Sequence, residues 1–221
     1  MKLIKGYFIP ENDLHYQGYF TQFDHYQEGQ RNRALSHVSD WNIAIDIGAN
    51  IGLWSRDLTS FFSMTYCFEP NINCLDCLKK NINTNKAEIY NLALGSVTST
   101  DYLFSPSNSG GSSFINRTKL LGHDTSGKEI WGKFAEEVPK NKVKIKSLDS
   151  FSFSDVNFIK IDVQNYELEV LKGAIETLEN NSPIICIEVN NERSEEISFL
   201  KKLNYSIIDM VGKEVILKKN I

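Results

Sequence analysis

Residues 42–52 read Asn42-Ile43-Ala44-Ile45-Asp46-Ile47-Gly48-Ala49-Asn50-Ile51-Gly52. A short apolar run dense in isoleucine carries one acidic residue near its end, and two glycines then bracket the next three residues. This pattern is typical of a buried parallel strand that turns tightly into a helix and leaves its backbone open to a ligand. We therefore predict a parallel β-sheet with a nucleotide-like ligand bound at this turn.

The composition is that of an ordinary globular protein. A chain of 221 residues with 41% hydrophobic residues fits one α/β domain with a short extension. The net charge of -4 does not favour a nucleic-acid partner, since such proteins usually carry a basic balance or stripe. Lys142, Lys144 and Lys146 alternate with apolar residues, which predicts the solvated face of a strand.

Neither a membrane segment nor a zinc site is predicted. The chain has no run of about eighteen apolar residues and its start lacks the apolar stretch of a signal peptide. Cys74 and Cys77 are spaced as CxxC within a helical pattern, but no second close pair completes a zinc site. We expect these two, with Cys67 and Cys186, to be buried reduced thiols in a cytoplasmic protein.

Residues 1–40 form an aromatic-rich amino-terminal extension without a clear strand pattern before Tyr26. Aromatic side chains at this density are unfavourable in water, so we predict that the extension packs on the domain. Two interpretations stay open. The extension either covers only the core, or it also forms a roof over the ligand site.

Residues 41–221 form the second predicted unit, in which strands alternate with helices. Strands are predicted at 42–47, 65–68, 88–93, 142–146, 156–161, 184–189, 205–210 and 214–217. Helices are predicted at 53–62, from 70 to about 83, and at 192–203. One further helix is predicted after Asp162, with Leu168, Leu171, Ile175 and Leu178 on one face. A weakly patterned insert spans about 98–141, and inserts of this length are usually functional or mobile. The architecture is a mainly parallel sheet that ends in an antiparallel hairpin, with ligands at the carboxyl ends of the strands.

Acidic residues mark the ends of three predicted strands, namely Asp46, Glu69 and Asp162. Glu69 stands about twenty residues beyond the glycine turn, which is where a carboxylate meets ribose hydroxyls. Asn50 occupies the place at which a dinucleotide fingerprint has its second glycine, and its side chain would obstruct a pyrophosphate. A cofactor without phosphate, such as S-adenosylmethionine, is therefore favoured over a flavin or a nicotinamide dinucleotide.

Several motifs together resemble those of FkbM-type methyltransferases. They are Ile45-Asp46-Ile47-Gly48-Ala49-Asn50-Ile51-Gly52, Phe68-Glu69-Pro70, Asn91-Leu92-Ala93-Leu94-Gly95, Gly110-Gly111-Ser112-Ser113, Ser147-Leu148-Asp149 and Ile159-Lys160-Ile161-Asp162-Val163-Gln164-Asn165-Tyr166-Glu167. The resemblance covers about residues 41–190. It implies the Rossmann-like class I methyltransferase fold, an α/β fold with a seven-stranded mainly parallel sheet and helices on both faces. It also implies S-adenosylmethionine as cofactor and O-methylation of sugar-like or natural-product hydroxyls. The extension more faintly resembles phage-encoded members, for which the expected location is the host cytoplasm.

The resemblance also implies which residues bind the cofactor. The methionine end would contact Asp46, Gly48, Ala49, Asn50 and Gly52, the ribose would contact Glu69 beside Pro70, and the adenine would lie by Asn91 and Leu92. Asp162 is included in this predicted site. Two structural alternatives stay open, because Asp46 could only cap the turn and Glu69 could be a solvated carboxylate at a helix start.

Asp162 and Glu188 are the predicted catalytic residues. A sugar hydroxyl is a poor nucleophile at neutral pH, so a nearby base should take its proton. Asp162 is either this base or a group that only orients the acceptor or the methionine amine, and Glu188 is either a second acid of the site or a paired core carboxylate. The family commonly has an acid and a glycine where this chain has Gln164 and Asn165. This difference removes one candidate base at position 164 and leaves Asp162 and Glu167 as the acidic residues of this motif.

Other functions are weaker fits to the sequence. An N-methyltransferase on nucleic acid typically carries Asn/Asp-Pro-Pro-aromatic where this chain reads Asp162-Val163-Gln164-Asn165. A non-catalytic nucleotide- or glycan-binding module on the same fold is the other alternative. His123 in the insert is expected to be solvated, and no dense acidic cluster predicts a metal. The predicted partner is a small-molecule or glycan acceptor, without nucleic acid or membrane, and the sequence does not indicate an oligomeric state.

Overall fold

The computed structural model describes residues 1–105, 112, 140–189 and 191–220. The strands are β1 (Lys2–Ile4), β2 (Tyr7–Ile9), β3 (Ile43–Ile47), β4 (Met64–Phe68), β5 (Ala87–Tyr90), β6 (Ala93–Leu94), β7 (Ser99–Phe104), β8 (Lys140–Lys146), β9 (Val156–Ile161), β10 (Ile184–Glu188), β11 (Tyr205–Val211) and β12 (Glu214–Lys219). The helices are α1 (Leu14–Gln22), α2 (Glu28–Leu35), α3 (Ser55–Phe61), α4 (Ile72–Asn81), α5 (Glu167–Lys172), α6 (Ile175–Asn181) and α7 (Glu195–Lys202).

The main sheet has seven strands in the order β11-β12-β10-β9-β3-β4-β5. The strands from β10 to β5 are parallel, whereas β12 is antiparallel to both β10 and β11. The predicted mainly parallel sheet with a carboxy-terminal antiparallel hairpin is therefore confirmed. The chain runs outward from β3 toward β5 and then returns to place β9 on the other side of β3. The boundary between β3 and β9 is thus the topological switch point, where ligands of open α/β sheets bind.

Apolar side chains cover both faces of this sheet because successive residues of a buried strand point to opposite sides. Ile45 and Ile47 face a core that includes buried residues of α5, α6 and α7. Ala44 faces the other core, with Trp54, residues of α3 and the end of α2. Helices therefore lie on both faces, as predicted.

The predicted continuous helix through Ile175 is wrong, since α5 ends at Lys172 and α6 begins at Ile175. A Cβ on Gly173 would lie only 2.0 Å from the carbonyl oxygen of Gly95, so the chain passes too close to its neighbour for any side chain there. The carboxylate of Asp149 then accepts hydrogen bonds from two backbone amides in the first turn of α6 and caps a new helix. Ile175 is partly exposed rather than part of an apolar stripe.

A second sheet with the order β6-β8-β7 lies partly inside the predicted insert. The segment Ser99–Phe104 was expected to be weakly structured and instead forms a strand antiparallel to β8. Along β8 the lysines 142, 144 and 146 are exposed whereas Val143 and Ile145 are buried, which confirms the predicted solvated face. Most of the insert, including His123, lies outside the described residues.

The extension has more regular structure than its sequence pattern indicates. It contains the β1–β2 hairpin and two helices. Tyr7, Ile9, Tyr16 and Phe20 form a buried cluster with residues of the glycine turn and of α4. The side chain of Asn81 joins the hairpin to that turn, because it accepts from the amide of Phe8 at 2.7 Å and donates to the carbonyl of Ile51 at 2.7 Å. The four cysteines are buried and free of disulfides, as predicted.

Candidate functional site

The glycine turn follows β3 directly and its backbone requires glycine. Gly48 and Gly52 have φ angles of +83° and +85°, in the left-handed region that L side chains rarely adopt. A Cβ on Gly48 would also lie 2.0 Å from the carbonyl oxygen of Asp162. The amides of Gly48 and Ala49 both donate to the carbonyl of Phe68 at 3.0 Å. The turn is therefore packed between the ends of β4 and β9, at the switch point.

Asp46 lies fully buried near the end of β3. Its Oδ2 accepts a hydrogen bond from the hydroxyl of Ser55, the first residue of α3, so the side chain does hold the turn as the structural alternative expected. Its Oδ1 has no partner among the described residues. Burial raises the pKa of Asp46, and the ammonium group of Lys160 opposes that shift. One oxygen of this carboxylate thus has a structural contact, and the other remains able to accept a hydrogen bond.

Glu69 is a buried carboxylate that bridges two backbone segments, which rules out a solvated side chain. Its Oε2 accepts from the amide of Asn50 at 2.7 Å, and its Oε1 accepts from the amide of Asn71 at 2.6 Å. Burial raises the pKa of Glu69 to about 7, although both backbone hydrogen bonds favour the ionised form. A carboxylate has about four acceptor positions, so capacity for ligand hydroxyls remains.

The other predicted cofactor residues lie beside Glu69. The side-chain amide of Asn91 donates to the carbonyl oxygens of Glu69 and Pro70 at 2.9 and 3.0 Å, so it fixes the backbone around this carboxylate. Leu92 is buried within the core of the main sheet. The side-chain amide of Asn71 donates to the hydroxyl of Ser112, which belongs to the glycine-serine motif of the insert. The side-chain oxygen of Asn50 is buried and has no partner in the described part of the chain.

Asp162 and Glu188 lie at the ends of the neighbouring strands β9 and β10, and each carboxyl group shifts the pKa of the other. Burial raises the pKa of Asp162, but the Lys160 ammonium, 3.1 Å from its Oδ2, together with the Gln164 side-chain amide and Glu188, lowers that pKa overall. Burial and the adjacent negative charge of Asp162 raise the pKa of Glu188 to about 7. The two groups therefore have opposite pKa shifts.

Lys160 is the site residue that the sequence reasoning missed. It lies inside β9 with a side chain only 3% exposed, and its Nζ stands 5.2 Å from the centroid of the Trp54 ring. Burial lowers the pKa of Lys160, but the charges of Asp162, Asp46 and Glu214 outweigh burial and raise it. One lysine thus pairs with Asp162 and lies near two further carboxylates, and a lysine between two isoleucines of a buried strand is the sequence signal that could have revealed it.

The loop after β9 explains two further motif residues. Gln164 and Asn165 both have left-handed backbone angles, with φ of +57° and +71°, and asparagine tolerates this region better than most residues. The carboxylate of Glu167 accepts from the amides of Val163 and Asn165, so it shapes this loop. In the described part of the chain, no group of three or more His, Cys, Asp or Glu side chains could hold a metal ion. No helix among the described residues is long and apolar enough to span a membrane.

Comparisons with solved structures show the fold. The structure of methyltransferase FkbM from Methylobacillus flagellatus KT has a TM-score of 0.51 and 14% identity over 80% of this chain and 43% of that protein. This chain therefore spans less than half of that protein. A precorrin-6y C5,15-methyltransferase from Geobacter metallireducens GS-15 has a TM-score of 0.49 and 11% identity, over 90% of this chain and 92% of that one. A Streptococcus mutans structure in complex with SAH has a TM-score of 0.47 and 12% identity, over 87% of this chain and 97% of that one.

Comparison at the sequence level shows the family. No curated protein matches this chain. The family model of the methyltransferase FkbM domain matches residues 46–207, which include the glycine turn, Glu69, Asp162 and Glu188. The fold is the Rossmann-like class I methyltransferase fold, and the chain belongs to the FkbM methyltransferase family.

Proposed function

We propose that this protein transfers the methyl group of S-adenosylmethionine to a hydroxyl group of a sugar or glycan-like small molecule. The observation that carries the proposal is the hydrogen bond from the Asn50 amide to Oε2 of Glu69. It joins the glycine turn to a buried carboxylate about twenty residues further along the chain. This spacing is typical of a carboxylate that binds the hydroxyl groups of a ribose. Membership of the FkbM methyltransferase family supports the same reaction.

The residues at the switch point fit this cofactor. Oδ1 of Asp46 and the side-chain oxygen of Asn50, which have no partner among the described residues, are acceptors suited to the amino group of the methionine end. Glu69 retains acceptor capacity for the ribose hydroxyls after its two backbone contacts. The turn packs so closely against the end of β9 that no side chain fits at Gly48, and this close packing fixes the backbone of the turn beside the switch point. When bound, S-adenosylmethionine supplies an electrophilic methyl group on a sulfonium.

Glu188 is the better general base of the acidic pair. A base works best when its pKa lies near the working pH, and the pKa of Glu188 is raised to about 7. Asp162 is held ionised by Lys160, so it suits the orientation of the acceptor or of the cofactor amine. Active sites commonly give two adjacent carboxyl groups different catalytic roles by shifting their pKa values in opposite directions. In-line attack on the methyl carbon then depends mainly on positioning by these groups.

Two measurements test the proposal. Thermal melting with millimolar S-adenosylhomocysteine or NAD should show a rise in melting temperature with the former only. A transfer assay with tritiated S-adenosylmethionine over glycans, nucleotides and proteins should then label a glycan or sugar. A melting shift with NAD alone would contradict the cofactor, and label in nucleic acid would support the N-methyltransferase alternative. Cofactor binding without any transfer would indicate a non-catalytic module.

The base is tested by Glu188→Gln, which removes the titrating group and keeps the shape of the side chain. We expect binding of S-adenosylhomocysteine within about twofold of wild type and transfer reduced about 100-fold or more. Glu192→Gln, in the exposed turn after β10, is the matched control and should keep full transfer. Near wild-type transfer by Glu188→Gln would show that Glu188 is not the base.

A further inference from the structure

The extension places one short turn, Tyr26 and Gln27, on the start of α3. The indole N–H of Trp54 donates to the side-chain oxygen of Gln27 at 2.7 Å. The guanidinium of Arg31 donates to the carbonyl of Tyr26 at 2.6 Å, and the amide of Gln27 donates to the hydroxyl of Tyr19 at 3.2 Å. Three hydrogen bonds from separate parts of the chain thus fix this turn, which has a left-handed φ of +46° at Gln27.

A chain of direct contacts joins this turn to the acidic pair. Gln27 is bonded to Trp54, the Nζ of Lys160 lies 5.2 Å from the centroid of the Trp54 ring, and the same Nζ lies 3.1 Å from Oδ2 of Asp162. The extension therefore lies at the carboxyl ends of the strands, on the side where β9 and β10 present their carboxylates. An extension that only covered the core would not need to reach these carboxylates.

Tyr26 itself faces the charges of the site. Its ring packs against the rings of Tyr16 and Tyr19 at centroid distances of 5.6 and 4.8 Å. Burial raises the pKa of Tyr26, and the charges of Asp162 and Glu188 raise it further, so its hydroxyl stays protonated at neutral pH. In the described part of the chain this hydroxyl has no hydrogen-bond partner. A partly exposed aromatic ring with a free donor is the kind of group that binds an amphipathic ligand.

We propose that Tyr26 is an acceptor-binding residue whose ring forms one wall of the acceptor site and whose hydroxyl donates a hydrogen bond to a sugar-like acceptor. A sugar ring has an apolar C–H face that packs on an aromatic wall and hydroxyl oxygens that accept from a phenol. This inference rests on the proposed function, and it assigns acceptor choice in part to the amino-terminal extension rather than to the methyltransferase domain alone.

The test compares Tyr26→Phe, which removes only the hydroxyl, with Tyr26→Ala, which also removes the wall. The control is Tyr102→Phe, since Tyr102 is an exposed tyrosine on β7. The probes are S-adenosylhomocysteine, measured by calorimetry, and a panel of methyl glycosides, measured by saturation-transfer NMR on the complex with S-adenosylhomocysteine. A glycoside that binds is then assayed with tritiated S-adenosylmethionine.

We expect the wild-type complex to bind at least one methyl glycoside. Tyr26→Phe should raise its dissociation constant and its KM about 5- to 30-fold, as loss of a hydrogen bond worth about 1–2 kcal/mol predicts, with kcat within about threefold. Tyr26→Ala should weaken binding further, while all variants bind S-adenosylhomocysteine like wild type. Unchanged glycoside affinity in Tyr26→Phe would overturn the inference, as would a wild-type complex that binds no glycoside. Failure of the wild type to bind S-adenosylhomocysteine would instead overturn the proposed function, and the inference with it.

Discussion

The backbone amide of Asn50 donates a hydrogen bond to Oε2 of Glu69 at 2.7 Å, so the carboxylate is part of the glycine turn's own structure. Glu69 is therefore both a structural acceptor and a candidate ribose ligand. Its second oxygen binds the amide of Asn71 next to the start of α4, which fixes the carboxylate between two elements. A ligand that reaches Glu69 finds it already oriented, and this preorganisation reduces the entropy lost on binding.

The first prediction concerns the pH dependence of ligand affinity at Glu69. Because the pKa of Glu69 is raised to about 7, the affinity for S-adenosylhomocysteine should increase from pH 6 to pH 8 as the carboxylate ionises. Glu69→Gln should bind about tenfold more weakly or worse at pH 8 and should lose most of this pH dependence. Calorimetric titrations across that range check it, with the exposed Glu179→Gln on α6 as control. An unchanged pH profile in Glu69→Gln would show that another group is responsible.

Stability without ligand should change in the opposite direction. A folded-state pKa above the ordinary value of 4.5 means that protonated Glu69 stabilises the protein fully below pH 4.5. That contribution is lost as the pH rises through about 7. We therefore expect the free energy of unfolding to fall less from pH 5 to pH 8 in Glu69→Gln than in the wild type. Urea unfolding of both proteins at the two pH values measures this difference. A larger loss in the variant would contradict the buried ionisation.

The second prediction contrasts two glycines. Gly48→Ala should lower the free energy of unfolding by more than about 2 kcal/mol, because φ is +83° and the new Cβ would lie 2.0 Å from the carbonyl oxygen of Asp162. Gly18→Ala, on the exposed side of α1 with no atom within 4 Å of the new Cβ, should raise it by about 0.5–1 kcal/mol. Urea unfolding measures both. Equal effects of the two changes would mean that the turn tolerates a side chain.

The third prediction concerns Asn81, which joins the β1–β2 hairpin to the glycine turn. Asn81→Ala leaves the amide of Phe8 and the carbonyls of Phe8 and Ile51 without their partner, so we expect a loss of about 2–3 kcal/mol. Asn73→Ala, exposed on the same helix, is the control and should cost less than about 0.5 kcal/mol. Hydrogen exchange at the amide of Phe8 should accelerate only in the first variant. Slow exchange there after the change would show that the hairpin docks by other contacts.

The fourth prediction concerns the buried charge of Lys160. Lys160→Met leaves Asp46, Asp162 and Glu214 without their cation, so stability at pH 8 should fall by about 3 kcal/mol or more. The pKa values of these carboxyl groups should then rise, and protonation at pH 5 should restore part of the loss. Lys144→Met on the exposed face of β8 should have little effect at either pH. A loss independent of pH would indicate a packing defect rather than unpaired charge.

The sheet and the glycine turn could be predicted from sequence because their signals are local. The isoleucine-rich run of β3, its glycines and the spacing to Glu69 all lie within about thirty residues, and secondary-structure periodicity is a local property. The break between α5 and α6 could not be predicted in this way. It depends on Asp149, whose carboxylate caps the start of α6 and whose amide donates to the carbonyl of Gly173, contacts between distant parts of the chain.

The sequence indicates which residues are candidates for the site, but not how their side chains interact. Asp162 was predicted at a strand end and Glu188 within a strand, yet their opposite pKa shifts arise from Lys160 and from each other, which only the packed structure brings together. The position of Tyr26 could not be predicted from the sequence either. Its sequence neighbourhood shows aromatic density and no periodicity, and its place at the site depends on the contact between Gln27 and Trp54.

The contact between α2 and β11 has a consequence for the order of folding. Arg33 and His37 both bind the carboxylate of Asp209, which lies 172 residues beyond His37. A ribosome releases the amino-terminal part of a chain first, so α2 emerges long before its partner on β11 exists. The contact between α2 and β11 can therefore form only after the last strands of the sheet have been synthesised. The aromatic cluster of the extension packs on the glycine turn and α4 instead, so it can form earlier, and the contact between α2 and β11 completes the docking of the extension last.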